Sequence, residues 1–113
     1  MKKLKILIID DEVDYCMLLQ YYFESKEYDV YLAFTLTEGM RLLPLVNPDV
    51  LILDNNLPDG EGWSKIDVII DQLPDVKLYL ISAYGELPEL IKQKKNITFW
   101  EKPITISSLD SAF

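Results

Sequence analysis

Five short, largely apolar runs divide this chain at nearly even intervals: Leu4–Ile9, Asp29–Ala33, Val50–Leu53, Val76–Ile81 and Ile97–Trp100. Those at 4–9, 50–53 and 76–81 are near-continuous in Ile, Leu and Val. Strands buried on both faces look like this, as in parallel sheets. About one helix fits between neighbours, and the intervening segments have helical character. Residues 13–25 place Tyr15, Leu18, Leu19, Tyr22 and Phe23 on one apolar stripe, with Cys16, Met17 and Tyr21 off it. Thr37 can cap a helix over 38–46, which Pro44 should kink or end. Residues 63–72 put Trp63, Ile66, Ile69 and Ile70 on one face, and Leu73-Pro74 stops them. Residues 86–95 form a short, weak helix with Pro88 in its first turn.

Alternation of strand and helix predicts an α/β fold with right-handed crossovers. Five strands in one small domain suggest a doubly wound, five-stranded parallel sheet in the flavodoxin-like order 2-1-3-4-5. The length, 113 residues, suits a single domain spanning 1–113. Half of the residues are hydrophobic, which opposes disorder. No apolar run approaches the ~20 residues needed to span a membrane. The opening "MKKLKILIIDDE" is too short in its apolar part for a signal peptide and meets three acids where a cleavage site should be. The lone cysteine, Cys16, can form no internal disulfide, which fits a cytoplasmic location.

In sheets of this kind the active crevice lies beyond the carboxyl ends of the strands. Asp10 and Asp11 follow the first run, Asp54 the third, Ser82 the fourth and Lys102 the fifth. Strands one and three are expected neighbours, so Asp10, Asp11 and Asp54 should converge. Converging carboxylates repel and disfavour ionisation unless a cation joins them. The chain has no histidine, so any metal would be held by oxygen ligands or by the lone thiol; oxygen favours Mg²⁺, Ca²⁺ or Mn²⁺. Asp11 and Asp54 can be direct Mg²⁺ ligands, Asp10 can act through water, and the Asn56 backbone carbonyl can complete the set. An Asp can also attack phosphorus, giving an aspartyl phosphate. Lys102 and the Ser82 hydroxyl could then pair with phosphoryl oxygens. The absence of histidine excludes Ser-His-Asp chemistry and phosphoryl passage through a histidine of this chain. A net charge of −8 argues against direct nucleic-acid binding, and "KQKK" at 92–95 reads as a solvated helix end.

The residues Asp10-Asp11 in "IIDDE", Asp54 in "LILDNNLPDGEG", Ser82-Ala83 and Lys102-Pro103 stand in the order of a known family. From about Leu4 to Ile106 the chain resembles the receiver domain of two-component response regulators (CheY-like). The resemblance implies a phosphorylation-dependent switch. A sensor histidine kinase or histidine phosphotransfer protein would phosphorylate Asp54 with Mg²⁺ present. Ser82 would be drawn inward and Phe99 would swing from exposed to buried. The face made by the fourth helix, fifth strand and last helix would then change its preference for a downstream target that the sequence does not name. A weak homodimer through that face belongs to the same expectation. Lys102-Pro103 would be cis, and Pro58 and Gly62 would shape the loop after Asp54. Asn56 and Tyr84 would tune water access to the phosphoryl group, and the helix after Asp10-Asp11 would dock the kinase. The chain would be no enzyme beyond its own phosphorylation and dephosphorylation, and no output domain is expected in it.

Departures from the family gather near the output face. The stretch from Ser82 to Lys102 is about two residues short, so the fourth helix should be short or irregular. Ile104 replaces a common phenylalanine, and the last helix has room for barely two turns. Ser82 also reads as a small polar strand end, and Phe99 as plain core. Two other readings stand beside the switch: a docking module that keeps the fold without switching, and a Mg²⁺-dependent phosphohydrolase. The second lacks its usual acid-base Asp, since that position is Asn56.

Overall fold

A computed structural model describes residues 3–83 and 96–113. The helix expected over 86–95, the "KQKK" run and Tyr84 lie outside the described residues. Each apolar run forms a strand: β1 (Lys5–Ile9), β2 (Asp29–Ala33), β3 (Val50–Asp54), β6 (Lys77–Ser82) and β7 (Ile97–Glu101). They make one parallel sheet in the order β2-β1-β3-β6-β7, the predicted 2-1-3-4-5 arrangement. Two further strands, β4 (Asn56–Leu57) and β5 (Gly60–Glu61), form a small antiparallel hairpin that the sequence reading did not anticipate.

Side chains alternate across the sheet and build two cores. On one face Leu7, Ile9, Leu51, Leu53, Leu78 and Leu80 pack with α2 (Leu36–Val46) and α3 (Ile66–Gln72). On the other, Ile6, Ile8, Val50, Ile52, Tyr79 and Ile81 pack with α1 (Val13–Ser25) and α4 (Ile106–Ala112). All five residues of β3 are buried, because it is central and covered on both faces. The last helix has seven residues, about two turns, as expected. No described helix is long and apolar enough to cross a membrane.

Four local expectations are corrected. Helix α1 has the predicted span, but its buried face runs through Cys16, Leu19, Tyr22 and Phe23, while Leu18 is exposed. Cys16, Leu19 and Phe23 have the i, i+3, i+7 spacing of one helical face, so the small thiol is inside and Leu18 is rotated out. Met17 and Tyr21 are exposed, as expected. Thr35, not Thr37, caps α2: its backbone is extended and its hydroxyl accepts the Glu38 N–H at 3.1 Å. Pro44 does not end α2, which continues to Val46 and closes on Asn47 in the left-handed conformation. Pro44 is exposed, and the bond it forgoes is the single one to the Met40 carbonyl. The expected helix over 63–72 begins as a 3₁₀ turn, Gly62–Lys65, before α3.

Candidate functional site

Strand register assembles the site. Ile9 pairs with Leu53, so the next residues, Asp10 and Asp54, emerge side by side. Asp54 pairs with Ile81, one residue before Ser82. Ser82 pairs with Glu101, one residue before Lys102. Asp10, Asp54 and Ser82 are all buried, whereas Asp11 is exposed at the rim. One carboxylate oxygen from each of Asp10, Asp11 and Asp54 lies within 4.8 Å of the others.

Lys102 is the cation at the centre of this edge. Its Nζ is 2.8 Å from Asp10 Oδ2, 2.7 Å from Glu12 Oε1 and 3.2 Å from Asp54 Oδ2. The Asp10 contact is ionic but lacks hydrogen-bonding angles, so this buried oxygen has no hydrogen-bond partner among the described residues. Asp10 Oδ1 accepts the Glu12 N–H at 2.8 Å, and Asp54 Oδ1 accepts the Asn56 N–H at 3.2 Å. Burial works against the ammonium, yet Asp10, Glu12 and Asp54 outweigh it and hold Lys102 firmly protonated. Burial raises the pKa of Asp10, with Lys102 offsetting part. Burial, then the neighbouring Asp10 charge, raises that of Asp54.

The surroundings hold this cluster in place. The Lys102-Pro103 bond is cis, and the Lys102 N–H donates to the Ser82 carbonyl at 2.9 Å. The Tyr15 ring lies 5.4 Å from Lys102 Nζ, and its hydroxyl accepts the Ile104 N–H at 3.4 Å. Gly62 is needed for close approach: a Cβ there would overlap the Asp54 carbonyl oxygen. Gly62 N–H donates to the Asn55 carbonyl, Trp63 N–H to Asn55 Oδ1, and Asn55 N–H to the Ile81 carbonyl. Phe99 is half-buried, edge-on to Trp63 with ring centroids 5.6 Å apart. Asn56 and Pro58 lie on the exposed hairpin that follows Asp54.

The donor set suits a hard divalent cation. Among the described residues three carboxylates converge, one carrying a buried oxygen without a hydrogen bond, and the Lys102 ammonium lies among four acids when Glu12 is counted. The thiol is no competing ligand. Burial pushes Cys16 up to about 12, and its Sγ lies 3.3 Å from the Asp10 carbonyl oxygen in a protonated, donating role. Sequence reasoning missed Glu12 as a Lys102 partner, and also Tyr15 and Asn55. Only Glu12 carried a signal, as the third acid of "DDE".

Comparison with known proteins gives a consistent result. The profile of the response regulator receiver domain family matches residues 6–113. The response regulator protein PilR of Pseudomonas aeruginosa is 32% identical over 111 residues, covering 96% of this chain but 25% of that protein. Sporulation initiation phosphotransferase F of Bacillus subtilis is 29% identical over 113 residues, covering 96% of this chain and 89% of that protein. The chain thus spans about a quarter of the first relative and most of the second. A solved CheY-like receiver domain from Methanospirillum hungatei superposes with a TM-score of 0.87 at 22% identity, covering 98% of this chain and 90% of that one. At that identity the likeness speaks for the fold.

Proposed function

Since this chain belongs to the response regulator receiver domain family, we propose that it is a phosphorylation-dependent switch whose phosphoacceptor is Asp54. The observation that carries the proposal is the buried Asp54 carboxylate, held between the Asn56 N–H and the Lys102 ammonium, with Asp10 and Asp11 alongside. The donor is a phosphohistidine of a sensor kinase or phosphotransfer protein. An Asp54 oxygen attacks phosphorus, the P–O bond forms, the P–N bond breaks, and the departing imidazole takes up a proton. Mg²⁺, held by Asp11, Asp54 and the Asn56 carbonyl with Asp10 through water, would supply charge neutralisation for the incoming phosphoryl oxygens. Lys102 already touches Asp54 and is placed to pair with a second oxygen, and Ser82, on the neighbouring strand end, with a third. Each is a positioning and charge effect, the usual content of phosphoryl-transfer catalysis.

Once Asp54 carries phosphate, Lys102 has a stronger partner than Glu12 or Asp10, so its triple ion pair must rearrange. Phe99, against Trp63 on the same side of the sheet, is the proposed reporter of that change to the output face. The chain's own phosphorylation and dephosphorylation are the only chemistry assigned to it, and the cytoplasm is its proposed location.

Acetyl phosphate and Mg²⁺ test this directly. Intact-mass measurement should show one added phosphoryl group on the wild type and none on Asp54→Ala or in EDTA. A wild type that binds Mg²⁺ yet gains no mass would leave the docking-module reading in its place.

A further inference from the structure

The turn between β4 and β5 carries a carboxylate that the phosphoacceptor chemistry does not use. Asp59 Oδ1 accepts the Leu36 N–H at 2.7 Å. Its Oδ2 accepts the Thr37 N–H at 2.8 Å and the Thr37 hydroxyl at 2.6 Å. The first-turn N–H groups of a helix have no partner within it. In α2 two side chains satisfy them: Thr35 from the cap itself, and Asp59 from a separate loop. The Thr37 hydroxyl, then the Thr37 and Leu36 N–H groups, favour the ionised form and bring Asp59 down to about 2.

Both ends of this clamp are fixed. Helix α2 is seated tightly on β1, since a Cβ on Gly39 would overlap the Ile9 side chain. Strand β1 ends at Ile9 and leads directly into Asp10-Asp11. The hairpin is rooted by Asn55, Gly62 and Trp63, and Leu57 is buried in the core. Between root and tip sits Asn56, whose N–H holds Asp54 Oδ1.

We infer that Asp59 is a positioning residue: by tying the hairpin tip to the start of α2, it holds Asn56 where its N–H orients Asp54 and its carbonyl can ligate the cation. The inference rests on the phosphoacceptor reading above. Mg²⁺ demands near-ideal octahedral geometry, so a loosened ligand lowers affinity for the ion. Once the ion is saturating, the geometry is restored and the reaction should recover.

The experiment titrates Mg²⁺ into wild type, Asp59→Asn and Thr37→Val by calorimetry, and then measures the acetyl phosphate reaction across the same Mg²⁺ range. Asp59→Asn is expected to weaken Mg²⁺ binding about tenfold or more, the scale seen when residues that orient metal ligands are removed. Its phosphorylation rate at saturating Mg²⁺ should return close to wild type. Thr37→Val, which removes one of the three hydrogen bonds, should show a smaller loss of the same kind, and it carries the test should Asp59→Asn not fold. Folded variants that melt lower but bind Mg²⁺ as wild type does would make Asp59 a helix cap and nothing more, overturning the inference alone. A wild type that neither binds Mg²⁺ nor accepts phosphate would overturn the phosphoacceptor reading and this inference with it.

Discussion

The surroundings of Asp10 and Asp54 disfavour their ionised forms. For each, burial is the largest influence and raises the pKa, and Lys102 returns only part of the loss. An acid raised above its unfolded value of 3.8 binds more protons folded than unfolded between the two pKa values. Its ionisation therefore subtracts from stability as pH rises through that window, and the loss persists at neutral pH. Asp54→Asn removes the charge and keeps the shape, while Lys102 retains Asp10 and Glu12. It should melt several degrees above wild type at pH 7 in EDTA, given that ~1 kcal/mol moves a domain of about 100 residues by roughly 4 °C or more. The advantage should fade as pH falls towards 3.8, where the wild-type carboxyl becomes neutral. Melting curves between pH 3.5 and 8 (on the order of the window set by ordinary carboxylate values) would show it. A variant no more stable than wild type at pH 7 refutes this account of the buried charge. Asp10, Asp11, Asp54, Ser82 and Lys102 are legible in the sequence because each stands at or just beyond the carboxyl end of a strand, and parallel register brings strand ends together. Glu12 and Asp59 are not legible in this way. Their partners stand 90 and 22 residues away, and the contact depends on where a helix start or a turn points after packing.

Element by element, the segment after β3 is the most tightly specified. Gly62 is there for space: a Cβ would overlap the Asp54 carbonyl oxygen and approach Leu53 Cδ1 to 2.9 Å. Gly62→Ala should cost about 1–3 kcal/mol, the usual range for overpacking, and should slow phosphorylation, because relief of the clash must move the end of β3. Urea unfolding alongside the acetyl phosphate assay checks both; wild-type stability would mean that the backbone yields freely. The spans of α1 and the five main strands follow from apolar runs and need no tertiary information. The phase of the α1 stripe does need it, since packing on the sheet buries Cys16 and leaves Leu18 exposed, against their relative size. Thr35 and Thr37 are equally good caps by type. The choice falls to Thr35 because Thr37 is engaged by Asp59, a contact from another part of the chain. The β4–β5 hairpin was hidden for a related reason: two residues per strand carry no periodicity.

At the scale of the molecule, strand order and the two-faced core were legible from the alternation of strand and helix. The aromatic cluster beneath α1 was not, because its members come from far-apart segments. Phe113 sits among Phe23, Tyr28, Tyr79 and Trp100, with ring centroids between 4.8 and 6.4 Å from its own. It closes the core on the α1 and α4 side of the sheet. Phe113→Ala should cost ~2 kcal/mol, less than the roughly 3–5 of a fully buried phenylalanine, and denaturant titration should show the loss with the Mg²⁺ affinity unchanged. The dispersal of the site along the chain also sets its timing during synthesis. Asp10, Asp11 and Asp54 are all translated before Lys102, which lies 48 residues after Asp54. At about 5–20 residues per second that is a delay of roughly 2–10 s. Until β7 and the residue after it leave the ribosome, Lys102 cannot join the acids. On the phosphoacceptor proposal, a nascent polypeptide that stops short of Lys102 therefore has no assembled site to receive a phosphoryl group.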